Sequence, residues 1–540
     1  MTTSSSFVKS LIGDQRKQVE TLEPYLKKNE DWRFSVARVM LTGVLKNQFY
    51  RSADNAAKEA LPLIITAAKK DPEFLLKAAA FARDANMKGM VKLGIAALAA
   101  KAPAPFLDLN RDTIIGLLAT FHPGQLLQFV ELMKSKALGR GFGARSQKWV
   151  QEVMQSWRPE KVEDFTLKYP SAYKIMLRLV HPSYNDVRSG LVRYILDASP
   201  KYPMYGKPDG KKQKAVERIK DPSTSDASIA KAMLKYEIPW DVVKGFHPIK
   251  GDVGLAMLTQ MGLTALLLNT RSLEQNGILD DPNGIKAFEL KLNEVKHGRS
   301  IPIDFAKPYI YSNNATVKNK LVKAIVDTLG KEMPHIEGRN IGVSVDISGS
   351  MRGEPLVTAG LLAVPFLKAR NLWFTTFDTE CHEEGVKSAG RNWWGACPVG
   401  SYICPPLRGK EPEQQVHHLL NLHTHGGTHV AVSLESALQK NIKLDLHVLI
   451  TDEQQNAGTP LMAVWREYKR RINPRAELWV INATNYEWHA ADFDDASVTV
   501  YQTMTPAIFR NLQFFGQDLI ASIDAYDLNK VRKLNQFCPD

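Results

Sequence analysis

Asp346, Ser348 and Ser350 occupy alternate positions in the stretch RNIGVSVDISGSMRG, residues 339–353. An apolar, β-prone run from Ile341 to Val345 stops at the acid, and a helical pattern, LVTAGLLAVPFLKA, resumes after the serines. One carboxylate and two hydroxyls at a strand-to-helix turn are hard oxygen donors, the kind Mg²⁺ prefers. Three donors cannot complete an octahedral shell, so other loops must contribute. Two loops at strand ends offer donors: HTHGGTHV presents Thr428 after the flexible pair Gly426-Gly427, and LHVLITDEQQ presents Asp452 directly after an apolar run. D-x-S-x-S alone also describes a tight turn whose side chains cap the next helix. With Thr428 and Asp452 added, the set becomes a candidate centre for Mg²⁺ or another divalent cation. It reads as a binding site rather than a catalytic one.

Other reactive residue types lead less far. His417, His418, His423, His425, His429 and His447 crowd one region, yet HTHGGTH lacks a usual structural-zinc spacing and reads as loop and cap residues. His429, next to Thr428, could still place a neutral imidazole near the cation. The four cysteines, Cys381, Cys397, Cys404 and Cys538, are too few in 540 residues for a disulfide framework. Cys397 and Cys404 flank a loop and could pair or share a metal; they read first as unreactive. The start, MTTSSSFVKSLIG, has no long apolar stretch, and no run approaches the length of a membrane span. The expectation is a cytoplasmic protein with no membrane contact.

The elements that must position these residues differ between the two parts of the chain. From about residue 15 to 330 the pattern is helical: DPEFLLKAAAFARDANM, with Asp71 as cap and Pro72 at the first helical position, then MVKLGIAALAAKAP, RDTIIGLLATF, PGQLLQFVELMKSK, EDFTLKYPSAYKIMLRLV and GLAMLTQMGLTALLLNTRSL. Short Gly/Pro/Asn breaks suggest stacked helical pairs. YPMYGKPDGKKQKAVERIK, residues 202–220, reads as an exposed loop before a helix, whose Lys211, Lys212 and Lys214 could touch phosphate. From about 338, NIGVSVDI, LWFTTF, LDLHVLIT, ELWVINA and SVTVY alternate with helical patterns, which predicts a parallel sheet covered on both faces. The fold class is therefore α plus α/β, with domains 1–337 and 338–540. Residues 1–330 carry 50 Lys+Arg against 33 Asp+Glu, whereas the remainder carries 20 against 24. A basic first part suits a polyanion partner. Arg140, Arg145 and Lys148 around Gly139, Gly141 and Gly143 suit phosphate contact. Phe142 between them could stack on a base or anchor the core.

The five oxygen donors resemble the metal-ion-dependent adhesion site of von Willebrand factor A domains. There the serines and threonine bind the cation, the aspartates mostly hold its waters, and one position stays open for a partner's carboxylate. A helical array followed by such a domain resembles the Ro autoantigen family, the TROVE-domain proteins, including the bacterial Ro-related ones. The resemblance rests on GRGFGARSQKWVQEVMQSW, LKY, MLRLVHPS, VKAIVDTLGKEMPHIEGRNIGVSVDISGSM, GGT, ITDEQQNAG and WREYKRR, in that order. It implies a ring of HEAT-like helical repeats closed by the A domain. It also implies small structured Y-like RNA on the outer surface, single-stranded 3′ ends of misfolded RNAs in a central hole, and an exoribonuclease partner. Lys168 matches the lysine of the family's outer RNA site and His181 its histidine, with Arg178 on the same segment; a further arginine of the family has no counterpart, the intervening loop being shorter. Where many relatives have aspartate after GGT, this chain has His429.

The leading expectation is a monomeric RNA-binding scaffold that is not an enzyme and acts in RNA quality control or turnover. An alternative is a metal-dependent adaptor that binds acidic protein partners. A hydrolase or chelatase-like role finds no P-loop, no HExxH and no acidic cluster suited to two metals.

Overall fold

Proline and capping residues set the helix boundaries of the first part. Asp71 Oδ1 accepts the Phe74 amide at 3.0 Å, which starts helix Pro72–Asp84. Two long apolar runs each split in two. Pro170 has no amide hydrogen to continue a helix, so Pro159–Lys168 ends at Tyr169 and Pro170–Val180 begins anew. Gly251–Gln260 and Leu263–Gln275 are likewise separated at Met261-Gly262. The computed structural model describes residues 32–42, 53–84, 87–135, 138–139, 141–197, 199–296, 302–329, 338–389, 397–452, 457–483, 495, 497–501 and 519–532.

The stretch 202–220 departs from expectation. Lys211, Lys212 and Lys214 lie on a helix, Lys211–Ile219, and not in a loop. Buried Gln213 anchors this helix. It accepts the Asp209 and Gly210 amides at 3.1 Å and donates to Thr166 Oγ1 at 2.8 Å and Leu191 O at 2.9 Å. Lys212 pairs with Asp164 at 3.0 Å, which leaves Lys211 and Lys214 exposed.

The chain packs as two compact units. One contains the described residues from 32 to 248 together with 519–532; the other contains those from 249 to 501. Helices Gly251–Gln260 to Ala315–Thr328 therefore pack with the sheet, although their sequence texture continues that of the first part. The last two helices, Leu519–Asp524 and Asn529–Arg532, return to the helical unit. Ile523 and Val531 are fully buried in its core. Tyr526 Oη donates to Asp84 at 2.6 Å, Arg33 pairs with Asp524 at 3.2 Å, and Arg532 Nε donates to Thr113 Oγ1 at 3.1 Å. Gly116 permits this docking, since a Cβ there would stand 2.4 Å from Val531 O.

In the second unit, β1 (Asn340–Asp346), β2 (Asn371–Phe377), β3 (Cys381–Glu383), β4 (Leu446–Thr451), β5 (Glu477–Asn482) and β6 (Val498–Tyr501) form one sheet in the order β3-β2-β1-β4-β5-β6. Five strands are parallel and correspond to the five apolar runs. β3, not expected from sequence, folds back antiparallel on β2, with Phe377 opposite Cys381. β4 is buried throughout, which explains its continuous apolar character. Helices Val432–Gln439 and Leu461–Arg471 share a core with Phe377, Leu449 and Val480.

Candidate functional site

β1 and β4 run parallel side by side, with β2 and β3 beyond one and β5 and β6 beyond the other. Strand order thus reverses between them. In α/β sheets a ligand crevice opens at such a point, at the carboxyl ends of the strands. Asp346 ends β1, Asp452 follows β4, and both are fully buried. Asp346 Oδ1 accepts the Ser348 amide at 2.8 Å, and Oδ2 accepts the Thr451 hydroxyl at 2.6 Å. Ser348 Oγ and Ser350 Oγ lie 3.1 Å apart, with Ser350 exposed to solvent. The HTHGGTH loop is joined to this turn by two backbone bonds, His425 N to Ile347 O at 2.6 Å and Gly349 N to Gly426 O at 3.1 Å. They bring the segment carrying buried Thr428 to the same strand ends.

Burial, and then the neighbouring Asp452 carboxylate, push Asp346 up to about 7, against the hydrogen bonds from Thr451 and Ser348. Two buried carboxylates that repel one another, beside hydroxyl donors, are a charge arrangement that a divalent cation relieves. Each Asp346 oxygen retains a second lone pair after its hydrogen bond. Asp346, Ser348, Ser350, Thr428 and Asp452 therefore fit a hard cation such as Mg²⁺, and could hold it directly or through its waters.

The histidines divide by environment. His447 is fully buried in β4 with the Ser344 and Ser433 hydroxyls each 3.3 Å from Nε2, and burial lowers it to about 3. It is a neutral core residue. Its sign follows directly: between about pH 6.5 and 3 the unfolded chain takes up a proton that folded His447 refuses, so stability falls as pH falls through that window. His447→Gln should flatten the acid side of the melting-temperature profile of the second unit, measured by calorimetry from pH 7 to 4. An unchanged profile would contradict the buried neutral assignment. His429 Nε2 accepts the Thr459 amide at 3.2 Å, so this imidazole is engaged with the segment beyond Asp452.

Asp378, His382 and His425 form a cluster that the sequence analysis did not single out. Asp378 follows β2, His382 lies in β3, and His425 lies in the HTHGGTH loop. His382 Nε2 stands 3.2 Å from Asp378 Oδ1, and His425 Nδ1 bonds Oδ2. Burial alone would raise Asp378, but hydrogen bonds from His382, His425 and the Glu380 amide outweigh it and hold the carboxyl low. The available signal was the D-x3-H spacing in TFDTECHEE, immediately after an apolar run. Cys397 and Cys404 are free thiols, and burial pushes Cys404 up to about 12, which agrees with an unreactive role. Cys538 lies outside the described residues.

The residues expected to meet RNA lie in the helical unit. Arg145 and Lys148 are exposed in the first turns of helix Ala144–Ser156, Arg145 lying 3.4 Å from Asp108. Arg140 lies outside the described residues. Phe142 packs half-buried against the core, which supports its anchoring role. On helix Ala144–Ser156, Gln147, Gln151 and Gln155 donate to the carbonyls of Leu179, His181 and Ser183 at 3.2, 3.1 and 3.2 Å. This ladder fixes exposed His181, which ends helix Pro170–Val180 in the left-handed region at φ 49°. Lys168 stands at the other end of that helix, which at 1.5 Å per residue is about 16 Å long. Lys168 and His181 are therefore not brought together. Lys168 lies 3.8 Å from Asp241 and Arg178 3.4 Å from Asp197, which also pairs with Lys174.

No protein-family model matches the sequence, and no curated protein matches it. Among solved structures, the chain is similar to the Ro (RSR) protein of Deinococcus radiodurans, with a TM-score of 0.67 and 20% identity over 89% of this chain and 99% of that one. That likeness extends over nearly the full length of both proteins, and the chain thus has the fold of a bacterial Ro protein.

Proposed function

We propose that this chain is a non-catalytic, cytoplasmic RNA-binding scaffold. In this reading it holds a small structured, Y-like RNA on a basic outer surface and the single-stranded 3′ ends of misfolded RNAs in a central hole formed by HEAT-like repeats. It would act as a monomer in RNA quality control or turnover beside an exoribonuclease, with Mg²⁺ at the oxygen-donor centre. The observation that carries the reading is the division of charge. Counted along the sequence, residues 1–248 have 40 Lys+Arg against 25 Asp+Glu, a net +15, whereas residues 249–540 are at −2. Excess positive charge confined to one part of the sequence suits a polyanion. The Ro-like fold agrees with it.

The test is one RNA in three forms: with a free 3′ tail, with the tail annealed to a complement, and without the tail. An A-form duplex is about 20 Å wide and hides its base edges, whereas a single strand can be held by phosphate contacts and stacking. The free-tailed form should bind most tightly in filter binding at physiological salt. Equal affinity for all three would remove the hole from the reading and leave surface binding alone.

Lys168→Ala with His181→Ser should weaken structured-RNA binding and flatten the slope of log K against log salt by about 0.7 to 0.9 for each phosphate no longer neutralised. The acids that pair with the basic side chains make an opposite prediction. Asp197→Asn releases Lys174 and Arg178 from exposed ion pairs, which contribute little to stability. RNA affinity should rise, with a steeper salt slope. Unchanged affinity and salt slope in the asparagine variant would place the RNA elsewhere.

The alternative, a metal-dependent adaptor, draws on the exposure of Ser350 at the oxygen-donor centre, where a partner's carboxylate could complete the shell. Retention of an acidic protein partner that depends on Mg²⁺, with no salt-sensitive RNA retention, would favour it.

A further inference from the structure

We propose that Asp378, His382 and His425 form a second cation site, distinct from the oxygen-donor centre and suited to a borderline divalent transition ion, Zn²⁺ foremost. Three separate elements supply the ligands: the end of β2, the antiparallel strand β3 and the HTHGGTH loop. Their ligand atoms all lie within 4.8 Å of one another. The side chains of Asp378, His382 and His425 are only 2%, 9% and 12% exposed, so the ion would be largely shielded from water.

The surroundings hold the carboxylate in place. Asp378 Oδ1 accepts the Glu380 amide at 2.8 Å, its carbonyl accepts the His429 amide at 2.8 Å, and its own amide donates to Glu380 O at 3.1 Å. Gly426, at φ +62°, brings the loop so close that a Cβ there would stand 2.5 Å from Asp378 Oδ2. His425 is thereby pressed against the carboxylate. Such backing is what orients ligands in metal sites.

The donor set decides the metal. Two imidazoles and one carboxylate with a fourth position open are the ligands of three-residue zinc sites and, with more open positions, of non-haem iron sites. Mg²⁺ prefers the all-oxygen centre instead. The same loop contributes His425 here and Thr428 there, so two ions of different hardness would sit on either side of one short segment.

The test uses the full chain, stripped with a chelator and then kept in excess Mg²⁺ to fill the oxygen-donor centre. One equivalent of Co²⁺ should produce the visible absorption band of a four- or five-coordinate ion, and Zn²⁺ should abolish it. His382→Gln and His425→Gln should each weaken Co²⁺ binding by about 100-fold or more, whereas His417→Gln with His418→Gln, on helix Pro412–Leu420, should not. A second measurement needs no variant. X-ray absorption at the zinc edge should show imidazole nitrogen and oxygen at about 2.0–2.2 Å. The proposal is overturned by the absence of the Co²⁺ band in the parent, by its persistence in both glutamine variants, or by sulfur scattering at the zinc edge.

Discussion

Asp346→Asn protein, freed of cations, should melt at a higher temperature than its parent at pH 8 and gain nothing from added Mg²⁺. In the folded chain the Asp346 carboxyl stands near 7 instead of its ordinary 3.8, because of burial first and Asp452 second. Between those values the unfolded chain is ionised and the folded one is not. Stability therefore falls as pH rises from about 4 to 7 and levels off above. The loss amounts to roughly 4 kcal/mol at most. Asparagine removes the charge yet keeps an oxygen to accept the Ser348 amide, so the cation-free variant escapes most of that cost. The parent recovers the same energy by binding a cation, and its Mg²⁺-induced gain should be larger at pH 8 than at pH 5.5, where a proton competes. On the proposed RNA-binding reading, RNA affinity of the full chain should change little, since the charge excess lies in the first part of the sequence. A variant that keeps the Mg²⁺-dependent rise in melting temperature would refute the oxygen-donor assignment.

Ile523→Ala combined with Val531→Ala should destabilise the helical unit by on the order of 5 kcal/mol, a large share of a typical domain's stability. Both side chains are fully buried, on two separate short helices, in the core formed by residues from the first part of the chain. Gly116→Val should produce much of the same destabilisation from the opposite side, because its first side-chain atom meets the Val531 carbonyl. Hydrogen exchange of helices Pro72–Asp84 and Arg111–Ala119 reads the effect locally. Unchanged protection there in the double variant would show that the C-terminal helices contribute nothing to this core.

Some of this was legible and some was not, for physical reasons. β1, β2, β4, β5 and β6 were visible because parallel strands in a covered sheet are continuous apolar runs. The oxygen donors were visible because three of them fall within five residues of one another and the others directly follow recognisable signals, a glycine pair and a strand. β3 is three residues long and too short to show a period; without it Asp378 and His382 cannot be joined to His425. The break after Lys168 comes from Pro170, inside a run whose apolar pattern continues through it. The glutamine ladder was hidden, since its register depends on which helix lies beside residues 179–183. The return of the last helices was hidden for a related reason: Ile523 and Val531 are ordinary apolar residues, and nothing local names the core they enter.

That return has a consequence for synthesis. Residues 249–501 are complete as a packing unit before residues 519–532 have been made, whereas the core begun by the first helices lacks Ile523 and Val531 until then. On the ribosome the second unit to be started is the first that can be finished. A nascent chain arrested after residue 516 and clear of the exit tunnel should already show a protease-resistant body between residues 249 and 501, with helices Pro72–Asp84 and Arg111–Ala119 still open to cleavage. The older half of the polypeptide thus waits, with part of its apolar surface uncovered, for the last segment to emerge.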